Sequence, residues 1–123
     1  MKILIADDNE DFLGVMEDLL KRHWHTVLVA RDGKQAREFL EGQSVDVIIS
    51  DVFMPTLDGV RFHSYVREFL GAREIPFIFM SGHDDPYTLE ALQDSSVDYF
   101  ISKMTPVSKI INILAKIKAS IPT

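Results

Sequence analysis

The sequence predicts an α/β fold, a doubly wound parallel sheet of five strands with helices on both faces. Five short apolar runs recur along the chain, too short for membrane spans and rich in the residues that favour strands over helices. The segments between them repeat apolar residues at three- and four-residue intervals, the period of an amphipathic helix. Such alternation implies right-handed crossovers that join parallel strands and cover both faces of the sheet. All strands then end at the same edge.

Lys2 to Ala6 is the first strand, and it stops abruptly at Asp7-Asp8-Asn9-Glu10. From Asp11, the residues Phe12, Val15, Met16, Leu19 and Leu20 mark the packing face of a first helix. Arg22-His23-Trp24-His25 breaks that period, and Thr26 to Ala30 is the second strand. Arg31-Asp32-Gly33 turns the chain into a second helix, about Lys34 to Glu41, with a narrow stripe of Ala36, Phe39 and Leu40. Val47-Ile48-Ile49 is the core of the third strand, which delivers Asp51 at its end before Pro55 and Asp58-Gly59 interrupt regular structure. A third helix carries Phe62, Tyr65, Val66, Phe69 and Leu70 and stops near Gly71, where positive φ is tolerated. Phe77 to Met80 is the fourth strand, followed by Ser81-Gly82-His83-Asp84-Asp85. Pro86 suits the first turn of a fourth helix, whose thin face of Leu89 and Leu92 makes it the least firmly anchored. Asp98 to Ser102 is the fifth strand and leads into Lys103. The last helix, Pro106 to about Ser120, has the strongest period: Val107, Ile110, Ile111, Leu114, Ile117 and Ile121.

With 123 residues, 46% of them hydrophobic, residues 1–123 make one domain able to bury a sizeable core. Thirteen Lys and Arg against 19 Asp and Glu give a net charge of −6 without a basic run, which argues against direct nucleic-acid binding by this domain. The absence of cysteine excludes disulfides and thiolate metal sites and suits a reducing compartment. The N-terminal run reaches two acids after three strongly apolar residues, so it lacks the core of a secretory signal, and no run is long enough to span a membrane. A cytoplasmic location, with no membrane partner, is the expectation.

In a parallel sheet Asp7 and Asp8 from the first strand, Asp51 from the third, Ser81 from the fourth and Lys103 from the fifth meet at the carboxyl edge, where ligands bind in open α/β sheets. Alone, either acid of the first pair reads equally well as a helix cap, and Lys103 as a surface lysine. Together they describe a site. Three neighbouring carboxylates repel one another, and an oxygen-only donor set suits a hard divalent ion, Mg²⁺ or alternatively Mn²⁺. His23 and His25 have a spacing that allows metal ligation from a strand, but beside Trp24 they fit a packed or solvated turn better.

The stretches I-A-D-D-N at 5 to 9, S-D-V-F-M-P-T-L-D-G at 50 to 59, F-M-S-G at 79 to 82 and D-Y-F-I-S-K at 98 to 103 resemble the receiver domain of two-component response regulators over essentially the whole chain. The resemblance implies a flavodoxin-like sheet of order 2-1-3-4-5 and a phosphorylation-controlled signalling switch, not a turnover enzyme, that assists its own phosphorylation and dephosphorylation. It further implies that Asp51 is the phosphoacceptor and that Asp7, Asp8 and Asp51 hold Mg²⁺ with the backbone carbonyl of Phe53. Ser81 then contacts the phosphoryl group, Lys103 pairs with it, and Phe100 changes rotamer on activation. Phe53 and His83 occupy the positions that tune phosphoryl lifetime. The implied partners are a sensor histidine kinase or phosphotransfer protein and a downstream output domain or protein. A phosphorylation-dependent homodimer would draw on Ile113, Tyr87 and Tyr99, although a single exposed isoleucine is ordinary.

One departure stands out. Met104 replaces the family's usual proline after Lys103, and a cis bond there would cost about 2.5 to 4 kcal/mol, so the following loop is expected to differ. Two other functions on this fold fit less well. A stable interaction module that is never phosphorylated would usually have lost one of Asp7, Asp8, Asp51, Ser81 and Lys103. A flavin carrier would need a Ser/Thr- and Gly-rich phosphate loop after the first strand, where Asp7 and Asp8 instead repel phosphate.

Overall fold

The computed structural model describes residues 1–72, 74–82, 94 and 96–121. His83 and the fourth helix expected from Pro86 lie outside them. Five strands, β1 (Lys2–Ala6), β2 (Thr26–Ala30), β3 (Val47–Asp51), β4 (Phe77–Ser81) and β5 (Asp98–Ser102), form one parallel sheet. Its order is β2-β1-β3-β4-β5, so the winding reverses between β1 and β3. Ala6 pairs with Ser50, Asp51 with Met80, and Ser81 with Ser102. The strands that carry the acids, the hydroxyl and the lysine therefore end nearly level.

Strand alternation divides the core in two. Ile3, Ile5, Ile49 and Met80 face α1 (Glu10–Arg22) and the C-terminal helix (Val107–Ser120), meeting Leu13, Met16, Leu20, Ile110, Leu114 and Ile117. Leu4, Ala6, Ile48, Phe77 and Phe79 face α2 (Gly33–Gly42) and α3 (Gly59–Ser64), meeting Ala36 and Phe62. Every residue of β3 is buried, as a central strand covered on both faces must be. Burying each Leu, Ile or Phe contributes about 1.5 to 3 kcal/mol, which anchors the site's platform.

Several helix positions differ from the periodic reading. Val15 is 62% exposed, because the buried stripe of α1 runs through Leu13, Met16 and Leu20 and Val15 lies about 100° round from Met16. Phe12 and Leu19 flank that stripe, partly buried. The third helix changes into a π-helical turn over Tyr65–Phe69, in which the Leu70 N–H donates to the Tyr65 carbonyl at 3.0 Å. The wider turn brings Val66 and Arg67 into the core and leaves Phe69 76% and Leu70 40% exposed. Tyr65, at the core's edge, stacks on Phe69 with ring centroids 5.2 Å apart. Val107, at the start of the C-terminal helix, is likewise exposed.

Candidate functional site

The carboxyl edge is built by what stops each strand. Beyond β1 the Asp7 N–H donates to the Ala30 carbonyl at 3.0 Å, which keeps Asp7 in the extended chain and buried, with Asp8 exposed beside it. Neither acid caps α1. That role falls to Asn9, whose Oδ1 accepts from the Phe12 N–H at 3.0 Å, while Asp7 Oδ1 accepts from the Asn9 N–H at 2.9 Å. Asp7 Oδ2 and the Asp8 carboxylate are left to face the cleft.

Asp51, the last residue of β3, is 9% exposed. Its Oδ1 accepts from the Val52 N–H at 2.8 Å. The chain then loops through Pro55 and returns so closely that a Cβ on Gly59 would overlap the Asp51 carbonyl oxygen. Gly59 is the first residue of α3, its N–H donating to the Val52 carbonyl at 2.8 Å and the Asp58 side chain capping the helix. Glycine is required here by that close approach rather than by its φ. Phe53, in the same loop, is 57% exposed.

Ser81 ends β4 and is buried, and its carbonyl accepts from the Lys103 N–H at 2.8 Å. This bond ties the exit of β5 to the end of β4. No peptide bond among the described residues is cis; after Lys103 the chain turns on Ser102, whose Oγ accepts from the Met104 N–H at 3.1 Å and whose carbonyl accepts from the Thr105 N–H at 2.9 Å. Phe100 is half-buried, pairs in register with Phe79, and packs against the α2–α3 side of the core.

Lys103 reaches back into the cleft. Its Nζ lies 2.7 Å from Asp7 Oδ2 and 3.5 Å from Asp51 Oδ2, and it sits 4.7 Å from the centroid of the Phe12 ring. Burial works to lower the Lys103 pKa, but the close Asp7 contact and the Asp51 charge outweigh it and hold the pKa above its ordinary value. For Asp51 the balance runs the other way. Burial, reinforced by the Asp7 and Asp8 charges and only partly offset by Lys103 and the Val52 N–H, pushes its pKa from 3.8 up to about 6.

The residues fit a hard divalent cation. Asp7, Asp8 and Asp51 each present a carboxylate oxygen within 4.8 Å of the others, a donor set of oxygen alone. Asp7 Oδ2 is buried and its contact is the Lys103 ammonium at 2.7 Å, so this oxygen already faces a cation, and a divalent ion would share or displace that ammonium. The other candidates do not assemble. His23 Nδ1 lies 3.0 Å from the Leu19 carbonyl and His25 Nδ1 lies 3.2 Å from the Met1 amine, each on its own local partner.

Sequence reasoning missed a buried charged cluster at the opposite edge of the sheet. Asp98 Oδ1, at the start of β5, accepts from His63 Nε2 at 2.9 Å and from Arg67 Nη2 at 2.7 Å, and Arg67 Nη1 donates to the Ala72 carbonyl at 2.7 Å. Burial opposes the Asp98 charge, yet Arg67 and His63 together hold its pKa below the ordinary value. The signal in the sequence was His63 and Arg67 four residues apart on an inward helix face. The Phe12 ring beneath Lys103 was missed as well, since its helical spacing marked it only as core.

A family model described as the response regulator receiver domain matches residues 3–115. The autoinducer sensor kinase/phosphatase CqsS of Vibrio cholerae is 29% identical over 115 residues, 93% of this chain and 17% of that protein. The two-component response regulator ARR10 of Arabidopsis thaliana is 30% identical over 117 residues, 92% of this chain and 20% of that protein. The chain thus spans a fifth or less of the length of these relatives. Among solved structures, the receiver domain of a Pseudomonas aeruginosa PAO1 sensor histidine kinase, with a magnesium ion coordinated in its active-site cleft, superposes with a TM-score of 0.84 at 28% identity, covering 97% of this chain and 98% of that one. The chemotaxis protein CheY4 of Vibrio cholerae shares the fold, with a TM-score of 0.84 at 23% identity over 94% of this chain and 97% of that one. With residues 3–115 matched and the flavodoxin-like order in place, this chain belongs to the response regulator receiver domains, the phosphorylation-controlled switches of two-component signalling.

Proposed function

We propose that Asp51 accepts a phosphoryl group from the phosphohistidine of a sensor histidine kinase or phosphotransfer protein. The observation that carries this reading is the meeting of Asp51 with Asp7, Asp8 and the Lys103 ammonium where the strand order reverses. A carboxylate oxygen of Asp51 attacks phosphorus in line, the new O–P bond forms as the N–P bond to histidine breaks, and the imidazole departs. Asp7, Asp8, Asp51 and the Phe53 carbonyl are the candidate ligands for Mg²⁺, with Mn²⁺ as an alternative; when bound, the ion neutralises charge on the equatorial phosphoryl oxygens. The Lys103 ammonium shifts from the carboxylates to one of those oxygens, and the Ser81 hydroxyl donates to another. Drawing Ser81 toward the phosphoryl group repositions the end of β4, and Phe100, beside Phe79 on β5, fills the space released. Two packings of one core then present different surfaces to an output domain, an output protein or a second copy of the chain. Phe53, in the loop after Asp51, is one residue proposed to tune how fast water ends the signal; His83, the other, lies outside the described residues.

No helix among the described residues is long and apolar enough to cross a membrane. The sensor kinase and response regulator relatives support a place between a kinase and an output. The direct test is incubation with a small phosphodonor and Mg²⁺. We expect one phosphoryl group on Asp51, read by intact mass and peptide mapping after borohydride trapping, and none on Asp51→Asn. Undiminished labelling of that variant would refute the assignment.

A further inference from the structure

Lys103 has a third neighbour besides the two carboxylates. The Phe12 ring, at the first turn of α1, lies with its centroid 4.7 Å from Nζ, within the range over which a ring face attracts an ammonium ion. Nζ is not shared evenly: it stands 2.7 Å from Asp7 Oδ2 and 3.5 Å from Asp51 Oδ2. Asp7 is also one of the three acids grouped for a divalent cation. We propose that Phe12 is a positioning residue for Lys103, an aromatic seat that holds the ammonium on Asp7 in competition with the divalent ion for that carboxylate. This inference rests on the reading of Asp7, Asp8 and Asp51 as metal ligands.

The seat is fixed by the fold. Phe12 is partly buried against the α1 side of the core, and its N–H is held by the Asn9 cap at 3.0 Å, so the ring is anchored from both its backbone and its packing. Lys103 is anchored equally near its base, through its N–H to the Ser81 carbonyl at 2.8 Å. Only the side chain of Lys103 is left to choose between Asp7 and the phosphoryl position. The aromatic face favours the first choice, which weakens metal binding at Asp7 and keeps the lysine close to the position from which it later serves.

The test is Mg²⁺ affinity, read by titration calorimetry on the unphosphorylated protein, for the parent, Phe12→Leu, Phe12→Tyr and the same substitutions in a Lys103→Met background. Leucine keeps apolar volume and the backbone cap bond but offers no ring, so Phe12→Leu is expected to bind Mg²⁺ about two- to fivefold more tightly. Phe12→Tyr, which restores the ring, is expected to match the parent. In the Lys103→Met background the leucine effect is expected to vanish. Unchanged or weaker binding by Phe12→Leu, or a gain that persists without Lys103, overturns the inference while leaving the metal site intact. A parent that binds no Mg²⁺ overturns the metal-site reading itself, and this inference with it.

Discussion

Replacing Asp51 with asparagine should make the protein more stable when no metal is bound. The folded protein holds this carboxyl at a pKa of about 6 against an ordinary 3.8, because it is buried beside Asp7 and Asp8. Between those two values the native state binds the proton that the unfolded chain has released, so stability falls as pH rises through the window and the full penalty is present above about pH 6. A displacement of this size corresponds to about 3 kcal/mol at neutral pH. Asparagine removes the ionisation and retains an oxygen to accept the Val52 N–H. Urea unfolding of parent and Asp51→Asn in EDTA measures the difference: about 2 to 3 kcal/mol in favour of the variant at about pH 7.5, shrinking to about 1 kcal/mol at about pH 4.5. Excess Mg²⁺ should stabilise the parent more than the variant, since binding to the native state alone adds to its stability. Equal stability in EDTA at neutral pH, or a gain that does not shrink on acidification, would show that Asp51 is not held against its charge.

Three further perturbations probe the platform and the cleft. Asp98→Ala strands the buried Arg67 guanidinium and should cost about 3 to 5 kcal/mol in urea unfolding, with an effect below about 1 kcal/mol marking the cluster as dispensable. Gly59→Ala forces a methyl group onto the Asp51 carbonyl, so its phosphorylation by a small donor should slow along with a loss of thermal stability; a variant that labels at the parent's rate would contradict the close approach. On the proposal that the Phe53 ring obstructs the in-line water, Phe53→Asn should accelerate autodephosphorylation about tenfold if about 1.4 kcal/mol of barrier is removed. Loss of phosphoryl label at an unchanged or slower rate would show that water access at Phe53 is not limiting.

The sequence by itself determined the sheet, its helices on both faces and the five groups at its carboxyl edge, because strand and helix periods are local and parallel topology fixes which end each strand presents. Asp51, Ser81 and Lys103 could be located from their place after apolar runs alone. What only the tertiary structure decided are contacts between residues far apart in the chain. Asp98 meets His63 and Arg67 from 35 and 31 positions away, through a π-helical turn that a regular helical period does not anticipate. Val15 and Phe69 fell outside the core because the buried stripe follows the partner surface, not the longest run of apolar spacings. Lys103 lies closer to Asp7 than to Asp51, above a phenylalanine whose spacing marked it only as core. Such choices depend on differences of about 1 Å between side chains on separate elements, and those distances exist only once the strands are in register and the helices packed.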